Sequence, residues 1–157
     1  MEIQIVDKSA FQLVGLTWQG TFEQAGAGEI RQVMQQVRER QDQILNRIDP
    51  STILGITQYM TQTSFTYTVG IEVEHVDQFP LPEGMSHITV PVQLYAKAIH
   101  PTGEEVFQSY QRVFEWIKEQ GYQQEDQHIN HLEMYPGTYN PLTDTPELTI
   151  MIPIRKE

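Results

Sequence analysis

The chain has 157 residues, a formal net charge of −11 at pH 7 and no cysteine. This length is enough to bury a core without covalent staples, and the lack of cysteine excludes disulfides, thiolate catalysis and zinc–thiolate sites. Because lysine and arginine contacts to phosphate dominate affinity for nucleic acids, the acidic balance predicts no direct binding of DNA or RNA. The N-terminus has no signal-peptide pattern, and no apolar run is long enough for a membrane span, so we expect a cytoplasmic protein that does not enter membranes.

The first half of the chain reads as strand, helix and two strands. Residues 3–5 and 11–18 indicate a first, interrupted strand. Residues 25–45 carry an apolar stripe at helical spacing, which consists of Ile30, Val33, Met34, Val37, Ile44 and Leu45. Asp49-Pro50 ends this pattern because proline disfavours helix in the preceding residue. Residues 53–60 and 65–74 then predict a hairpin of two strands around a short polar turn.

The second half repeats this order after a link at residues 79–85, which is the expected junction. Residues 88–98 alternate between apolar and polar or aromatic positions, as in a strand with one face on a core. A helix is predicted over residues 102–120, with Thr102 and Glu105 as a capping box and Gly121 as its C-terminal stop. Residues 128–135 and 148–154 predict the last two strands.

The two halves share an order of elements, and the second set starts about half the chain length after the first. Gln12 to Gln19 and Gln93 to His100 occupy matching places, each before a helix and two strands. We therefore predict an α+β fold of two β-α-β-β units related by a pseudo-twofold axis, with antiparallel sheets and two long helices. It should form a single domain over residues 1–157, with halves at about 1–78 and 86–157 and a ligand groove between them.

No motif in the sequence indicates a metal, a cofactor or a catalytic nucleophile. His128, His131 and Glu133 lie close in sequence, but strand alternation places His128 and His131 on opposite faces. The two remaining residues are too few for a zinc site. Gly26-Ala27-Gly28 precedes the first helix without the rest of a dinucleotide fingerprint, so it indicates a flexible helix entry rather than a phosphate site.

Glu133 is the residue with the clearest functional potential. Alternation sets it opposite Leu132 and Met134, on the face that carries Ile129, His131 and Tyr135. A carboxylate among aromatic side chains is costly to desolvate and needs a partner, and a ligand cation held by rings is one such partner. An exposed glutamate on an edge strand is the alternative, and the residues alone favour it. Aromatic residues elsewhere indicate core packing, and we expect these helix residues to be buried against the sheet: Met34, Val37, Tyr110, Val113 and Phe114.

Taken together, the sequence resembles the GyrI-like small-molecule-binding family, which includes the effector-binding domains of AraC-type and MerR-type transcription regulators. The pieces that carry the resemblance are Val14-Gly15-Leu16, residues 65–73, Pro82-Glu83-Gly84-Met85, Tyr95-Ala96 with His100 and Gly103, Trp116-Ile117, Gly121-Tyr122, residues 132–135 and Ile152-Pro153-Ile154. This resemblance implies the duplicated fold and a groove for amphipathic, often cationic, molecules. It implies that Glu133 lies at the bottom of that groove, with Tyr67, Tyr95, Trp116 and Tyr135 as further ligand-binding candidates.

The resemblance leaves three functions open. Members with a helix-turn-helix module bind DNA, whereas this chain begins at the effector domain and is similar to the stand-alone members. Binding or sequestration of a small amphipathic molecule is the function we favour over catalysis. The alternatives are a hydrolase of cyclopropane-type toxins, with Glu133 as general base, and a protein that binds a partner such as a topoisomerase.

Overall fold

The computed structural model describes residues 1–76 and 81–157, so Phe79 and Pro80 of the predicted link lie outside the described residues. The strands are β1 Ile3–Lys8, β2 Phe11–Thr21, β3 Ile53–Gln58, β4 Ser64–Val73, β5 Ser86–Val90, β6 Gln93–Ile99, β7 Tyr122–Gln124, β8 His131–Tyr135 and β9 Thr149–Lys156. The helices are α1 Phe22–Gly26, α2 Glu29–Arg40 and α3 Val106–Glu119, and a short 3-10 turn, Gln41–Gln43, follows α2. These elements confirm the predicted α+β fold.

The strands form one antiparallel sheet whose order is symmetrical about its centre. The order is β1-β6-β9-β8-β3-β4-β2-β5, with β7 paired to β9 at the side. Strands β6, β9 and β8 of the second half mirror β2, β4 and β3 of the first, and the β3–β8 ladder joins the two sets. Each half also lends a strand to the other, because β1 pairs with β6 and β5 pairs with β2. The predicted duplication is therefore visible in the strand order.

The two-residue connection between β1 and β2 requires this sheet to curl. Strands β1 and β2 are six steps apart in the sheet order, yet only Ser9 and Ala10 separate them in the chain. In a flat sheet these strands would lie about 29 Å apart, at roughly 4.8 Å per strand, whereas three residues of extended chain span at most about 11 Å. The sheet therefore bends back on itself, and an ion pair of 3.1 Å between Lys8 and Glu72 joins β1 to β4.

The two faces of the sheet carry separate apolar clusters. Helices α2 and α3 cover one face, where Val37, Val113 and Ile117 are buried together with Ile150 of β9. The other face closes on itself through the curl and buries a second cluster, which includes Leu13, Leu54, Ile56, Tyr95 and Leu132. A functional site beside the helices must therefore use side chains from the first face.

The helix boundaries differ from the predicted ones. The helix predicted over residues 25–45 is two helices, because Gly28 adopts a φ of 102° between α1 and α2. Helix α2 ends at Arg40, so Leu45 of the predicted stripe lies beyond it and is 54% exposed. Helix α3 begins at Val106 rather than Thr102, and its N-cap Glu105 makes no side-chain capping bond. Gly121 does follow the helix with a φ of 80°, as predicted.

Two predicted strands are also shorter than expected. The strand predicted over residues 53–60 ends at Gln58, and Tyr59 has a φ of 53°, which turns the chain away from the sheet. The strand predicted from His128 begins at His131. None of the helices in the part of the chain that the structure describes is long and apolar enough to cross a membrane.

The capping box of this fold lies at Thr21, not at Thr102. The Thr21 hydroxyl accepts a bond from the Gln24 backbone at 3.1 Å, and the Gln24 side chain accepts one from the Thr21 backbone at 2.9 Å. We expect Thr21→Ala to lower the free energy of unfolding by about 1 kcal/mol because an N-cap is lost. Urea denaturation measures this, with Thr102→Ala as the matched control at under about 0.5 kcal/mol. Equal losses in the two variants would contradict the assignment.

Candidate functional site

A cavity of about 700 Å³ opens between the helices, above the centre of the sheet. Strands β3, β4 and β8 form its floor, helices α1 and α2 form one wall, and α3 forms the other. This volume falls within the range of small-molecule sites in proteins. Most of the lining is apolar, and eight aromatic rings contribute to it: Phe22, Phe65, Tyr67, Phe107, Tyr110, Phe114, Tyr135 and Tyr139.

Glu133 lies on the floor and accepts hydrogen bonds from three tyrosine hydroxyls. Tyr67 donates to Oε1 at 2.6 Å, and Tyr135 donates to the same oxygen at 3.0 Å. Tyr110, from α3, donates to Oε2 at 2.5 Å. A carboxylate is an acceptor only and needs donors when it leaves water. The three hydroxyls supply them without adding a positive charge, so the negative charge of Glu133 is stabilised but not neutralised by another residue in this cluster.

Strand geometry accounts for the position of this cluster. In β8 the side chains of His131, Glu133 and Tyr135 share the cavity face, whereas Leu132 and Met134 pack in the cluster on the other face. Tyr67 comes from β4, and strand β3 lies between it and β8. The Tyr67 ring crosses β3 over Gly55, which is paired directly with Glu133. A β-carbon at Gly55 would lie 1.9 Å from the Tyr67 hydroxyl oxygen, so the contact depends on glycine there.

The environment keeps all three tyrosines in their neutral, donating form. Burial is the largest cause that raises the pKa of Tyr67, Tyr110 and Tyr135 well above its ordinary value near 10, and the charge of Glu133 is the second. Ionising any of these hydroxyls would place a second negative charge beside the carboxylate with little water to screen it. The three tyrosine hydroxyls therefore remain hydrogen-bond donors throughout the physiological pH range.

His131 lies beside this cluster and packs against two aromatic rings of α3. Its ring centroid is 4.8 Å from that of Tyr110 and 5.9 Å from that of Phe114. Burial lowers the pKa of His131 from 6.5 to about 4. The imidazole is therefore neutral at pH 7, with one N–H donor and one acceptor nitrogen, and it adds no positive charge that would repel a ligand cation.

The structure brings together some of the candidate residues and separates others. Tyr67 and Tyr135 meet Glu133 as described. Tyr95 is fully buried in the cluster on the opposite face of the sheet, where burial raises its pKa to about 12. Trp116 packs against the helix-covered core and is not among the cavity-lining residues. These two positions are therefore outside the cavity, contrary to what the family resemblance implied.

The burial prediction for the helix stripes was right for three residues and wrong for two. Met34, Val37 and Val113 are buried in the core, and Met34 also contributes to the cavity lining. Tyr110 and Phe114 are half-buried and line the cavity instead. Since Tyr110 and Phe114 are four residues apart, they share one side of α3, and that side turns from the sheet toward the cavity. The apolar stripe identified which residues of α3 face inward, but it did not distinguish those that contact the sheet from those that line the cavity.

Other cavity residues carried a weaker signal in the sequence. Gly55 lies inside strand β3, and a glycine inside a strand often marks a close approach of another group. His131 has the right alternation to share the Glu133 face. No group of three or more histidine or carboxylate residues among residues 1–76 and 81–157 is arranged to hold a metal ion. The cavity floor offers one carboxylate surrounded by hydroxyls and rings, which suits attraction of a cation or an aromatic group, and Arg31 and Asp144 also line the cavity.

The chain matches known proteins in sequence and in fold. It matches the family described as GyrI-like small molecule binding domain over residues 1–155. It is 31% identical to the transcriptional regulator BrlR of Pseudomonas aeruginosa over 115 residues, which cover 73% of this chain and 41% of that protein. The chain thus spans less than half the length of that regulator.

Two solved structures share the fold at low sequence identity. SAV2435 bound to tetraphenylphosphonium has a TM-score of 0.72 at 17% identity, covering 99% of this chain and 94% of that one. EcmrR in a complex with DNA has a TM-score of 0.67 at 10% identity, covering 99% of this chain and 58% of that one. The match to EcmrR relates the fold of this chain to part of a larger DNA-binding protein.

Proposed function

The chain belongs to the GyrI-like small molecule binding domain family, and we propose that its cavity binds lipophilic cations with Glu133 as the counter-charge. In this role the protein would sense or sequester an amphipathic small molecule, in keeping with its relationship to transcription regulators. The single observation that carries the proposal is the carboxylate at the floor of an aromatic cavity, bonded to three hydroxyls and to no cation.

Two physical effects favour a cation in this cavity. The ring faces of tyrosine and phenylalanine attract a positive charge, and the attraction is stronger where water is excluded. The Glu133 charge adds a Coulomb term, which at an effective dielectric constant near 20 amounts to about 3 kcal/mol for charges roughly 5 Å apart. The net charge of −11 also raises the local concentration of cations around the protein. SAV2435, which shares the fold, is itself bound to the aromatic cation tetraphenylphosphonium.

Calorimetry with a charged and a neutral ligand tests the role of Glu133. We expect Glu133→Gln to weaken tetraphenylphosphonium about 10- to 100-fold, because a charge-assisted contact of about 1.5–3 kcal/mol is lost. Triphenylphosphine oxide is a neutral molecule with similar rings. Its dissociation constant should change by less than about threefold, since the substitution keeps the shape of the side chain.

Glu115→Gln provides the matched control. Glu115 is exposed on α3, so this substitution removes the same charge at a site outside the cavity. Its effect on tetraphenylphosphonium should stay within about twofold, as expected for a screened surface charge. Equal losses for both ligands in Glu133→Gln, or equal losses in the two variants, would show that Glu133 is not the counter-charge. Steady conversion of a bound ligand that disappears in Glu133→Gln would instead support the hydrolase alternative.

A further inference from the structure

We propose that the cavity prefers lipophilic cations that also carry a hydroxyl group, and that Thr57 and His131 are the residues that recognise this group. The inference rests on the proposed function and adds a second requirement to the ligand. Its basis is a pair of polar side chains on the cavity floor that the protein leaves without hydrogen-bond partners.

Thr57 and His131 lie side by side on the floor. They are direct partners in the β3–β8 ladder, and both line the cavity. Opposed side chains in such a ladder have β-carbons about 5 Å apart, close enough to contact one small group together. The next pair on the same face is Gly55 and Glu133. A ligand with its cation near Glu133 would therefore place an adjacent substituent over Thr57 and His131.

Neither side chain is satisfied by the protein. Among the described residues, no hydrogen bond joins the Thr57 hydroxyl or a His131 ring nitrogen to another group. These atoms are also absent from the buried polar atoms that lack a partner, so they remain accessible to a small molecule. Thr57 is nevertheless only 4% exposed. The hydroxyl and the imidazole therefore open toward the cavity rather than toward bulk solvent, and their hydrogen-bonding capacity is available to a molecule bound there.

The other polar groups on the cavity floor are already committed, whereas Arg31 and Gln111 lie on the helical walls. Glu133 accepts a hydrogen bond from each of three tyrosine hydroxyls, so the proton of each hydroxyl is already engaged. On the floor beside Glu133, a ligand hydroxyl would thus meet its free partners at Thr57 and His131. The neutral imidazole and the threonine hydroxyl together offer donors and acceptors, which a hydroxyl can match because it also donates and accepts.

A ligand without such a group would carry a penalty. Its apolar surface would displace water from Thr57 and His131 and leave their polar atoms unpaired, which costs more than a hydrogen bond contributes on average. Sites with buried polar groups reject analogues that lack the matching hydroxyl for this reason. We therefore expect a hydroxylated cation to bind about tenfold more tightly than its unsubstituted parent.

Calorimetry at pH 7.5 with a matched ligand set tests this preference. The probes are benzyltriphenylphosphonium and its 2-, 3- and 4-hydroxybenzyl analogues, and the readout is the ratio of the parent dissociation constant to that of the best analogue. We expect a ratio of about ten for the wild type. The ratio should fall to about two or less in His131→Phe, which keeps a ring, or in Thr57→Val, which keeps the shape. The control His128→Phe changes an exposed histidine and should keep the wild-type ratio.

The outcomes separate the two proposals. Parent binding that depends on Glu133, with a ratio near one for every analogue, would overturn the hydroxyl preference and leave the proposed function standing. A wild-type preference that survives unchanged in both His131→Phe and Thr57→Val would overturn the assignment of these residues. If benzyltriphenylphosphonium does not bind, or binds equally well to Glu133→Gln, the proposed function fails and the inference fails with it.

Discussion

Gly55→Ala is expected to disrupt the carboxylate cluster and to lower both ligand affinity and stability. The new β-carbon would lie 1.9 Å from the Tyr67 hydroxyl oxygen and 2.3 Å from the ring carbon that bears it. These distances are far below contact, so the Tyr67 ring must leave its place over β3 and lose its bond to Glu133. Losing a hydrogen bond to a charged group costs about 1.5–3 kcal/mol, and overpacking of a filled site costs about 1–3 kcal/mol.

We expect the free energy of unfolding to fall by about 3 kcal/mol in Gly55→Ala, measured by urea denaturation. Tetraphenylphosphonium should bind at least about tenfold more weakly, because a displaced ring also occupies the cavity. Gly26→Ala is the control for stability, since a β-carbon there meets no atom within 4 Å. It should not lower the unfolding free energy, because Gly26 belongs to α1 and alanine favours a helix more than glycine does.

A double-mutant cycle identifies the cause of the loss. Tyr67→Leu removes the ring atoms that the new β-carbon would meet, so Gly55→Ala should cost clearly less in that background than in the wild type. Residues in contact show coupling energies of about 0.5–3 kcal/mol, whereas independent sites are additive. Additive costs for the two substitutions would mean that Gly55 acts through the backbone of β3 and not by making room for Tyr67.

The sequence was sufficient for the fold and for the side of β8 that carries the carboxylate. Alternation within one strand is a local property, and it set Glu133 apart from Leu132 without any tertiary information. The order of elements in the two halves likewise fixed the duplication. The exchange of β1 and β5 between the halves was not visible, because strand partners depend on long-range pairing that a local pattern does not encode.

Register between strands decided which tyrosines reach the carboxylate. In the β3–β4 ladder Tyr67 is paired with Thr57, and in the β3–β8 ladder Glu133 is paired with Gly55. Because Thr57 and Gly55 are two residues apart in β3, the side chains of Tyr67 and Glu133 share a face. Tyr95 is paired with Pro153 of β9, whereas Glu133 is paired with Ile150. Those two β9 positions are three residues apart and point to opposite faces. A shift of one residue in that ladder would have moved Tyr95 to the other side, and no pattern within β6 specifies it.

Helix geometry gives the corresponding reason for Trp116 and Tyr110. Each residue in a helix turns by about 100°, so Trp116 points roughly 200° away from Phe114. Once Phe114 lines the cavity, Trp116 cannot do so. Which side of α3 faces the cavity follows from how α3 packs on the sheet, and Tyr110 reaches Glu133 because of that packing. The amphipathic period of α3 is visible in the sequence, but the rotation of the helix about its axis is not.

The second large effect we expect is a loss of stability on acidification that comes from His131. Burial lowers the pKa of His131 from 6.5 to about 4 in the folded protein. Between these two values the unfolded chain binds a proton at this residue and the folded protein does not. Stability therefore rises with pH in this window and falls as the pH drops from about 6.5 toward 4. The three tyrosines of the cluster stay neutral and do not titrate in this range.

The size of this effect follows from the two pKa values. Proton linkage predicts that His131 lowers the free energy of unfolding by about 2 kcal/mol at pH 5 and about 3 kcal/mol at pH 4, relative to pH 7.5. His131→Phe keeps a ring packed against Tyr110 and Phe114 and removes the titrating group. Urea denaturation across pH 4 to 7.5 should therefore show that the free energy of unfolding falls less in His131→Phe than in the wild type. The difference between the two should grow by these amounts as the pH falls.

The comparison of two variants isolates this residue from the other titrating groups. The exposed His128 serves as the control, and His128→Phe should follow the wild-type pH profile within about 0.5 kcal/mol. Parallel profiles for the wild type and His131→Phe would mean that the imidazole titrates alike in the folded and unfolded states and is not held neutral by its surroundings. A widening gap below pH 6.5 would establish that folding excludes the proton from His131, which is the condition under which the cavity floor carries the Glu133 charge without a cation beside it.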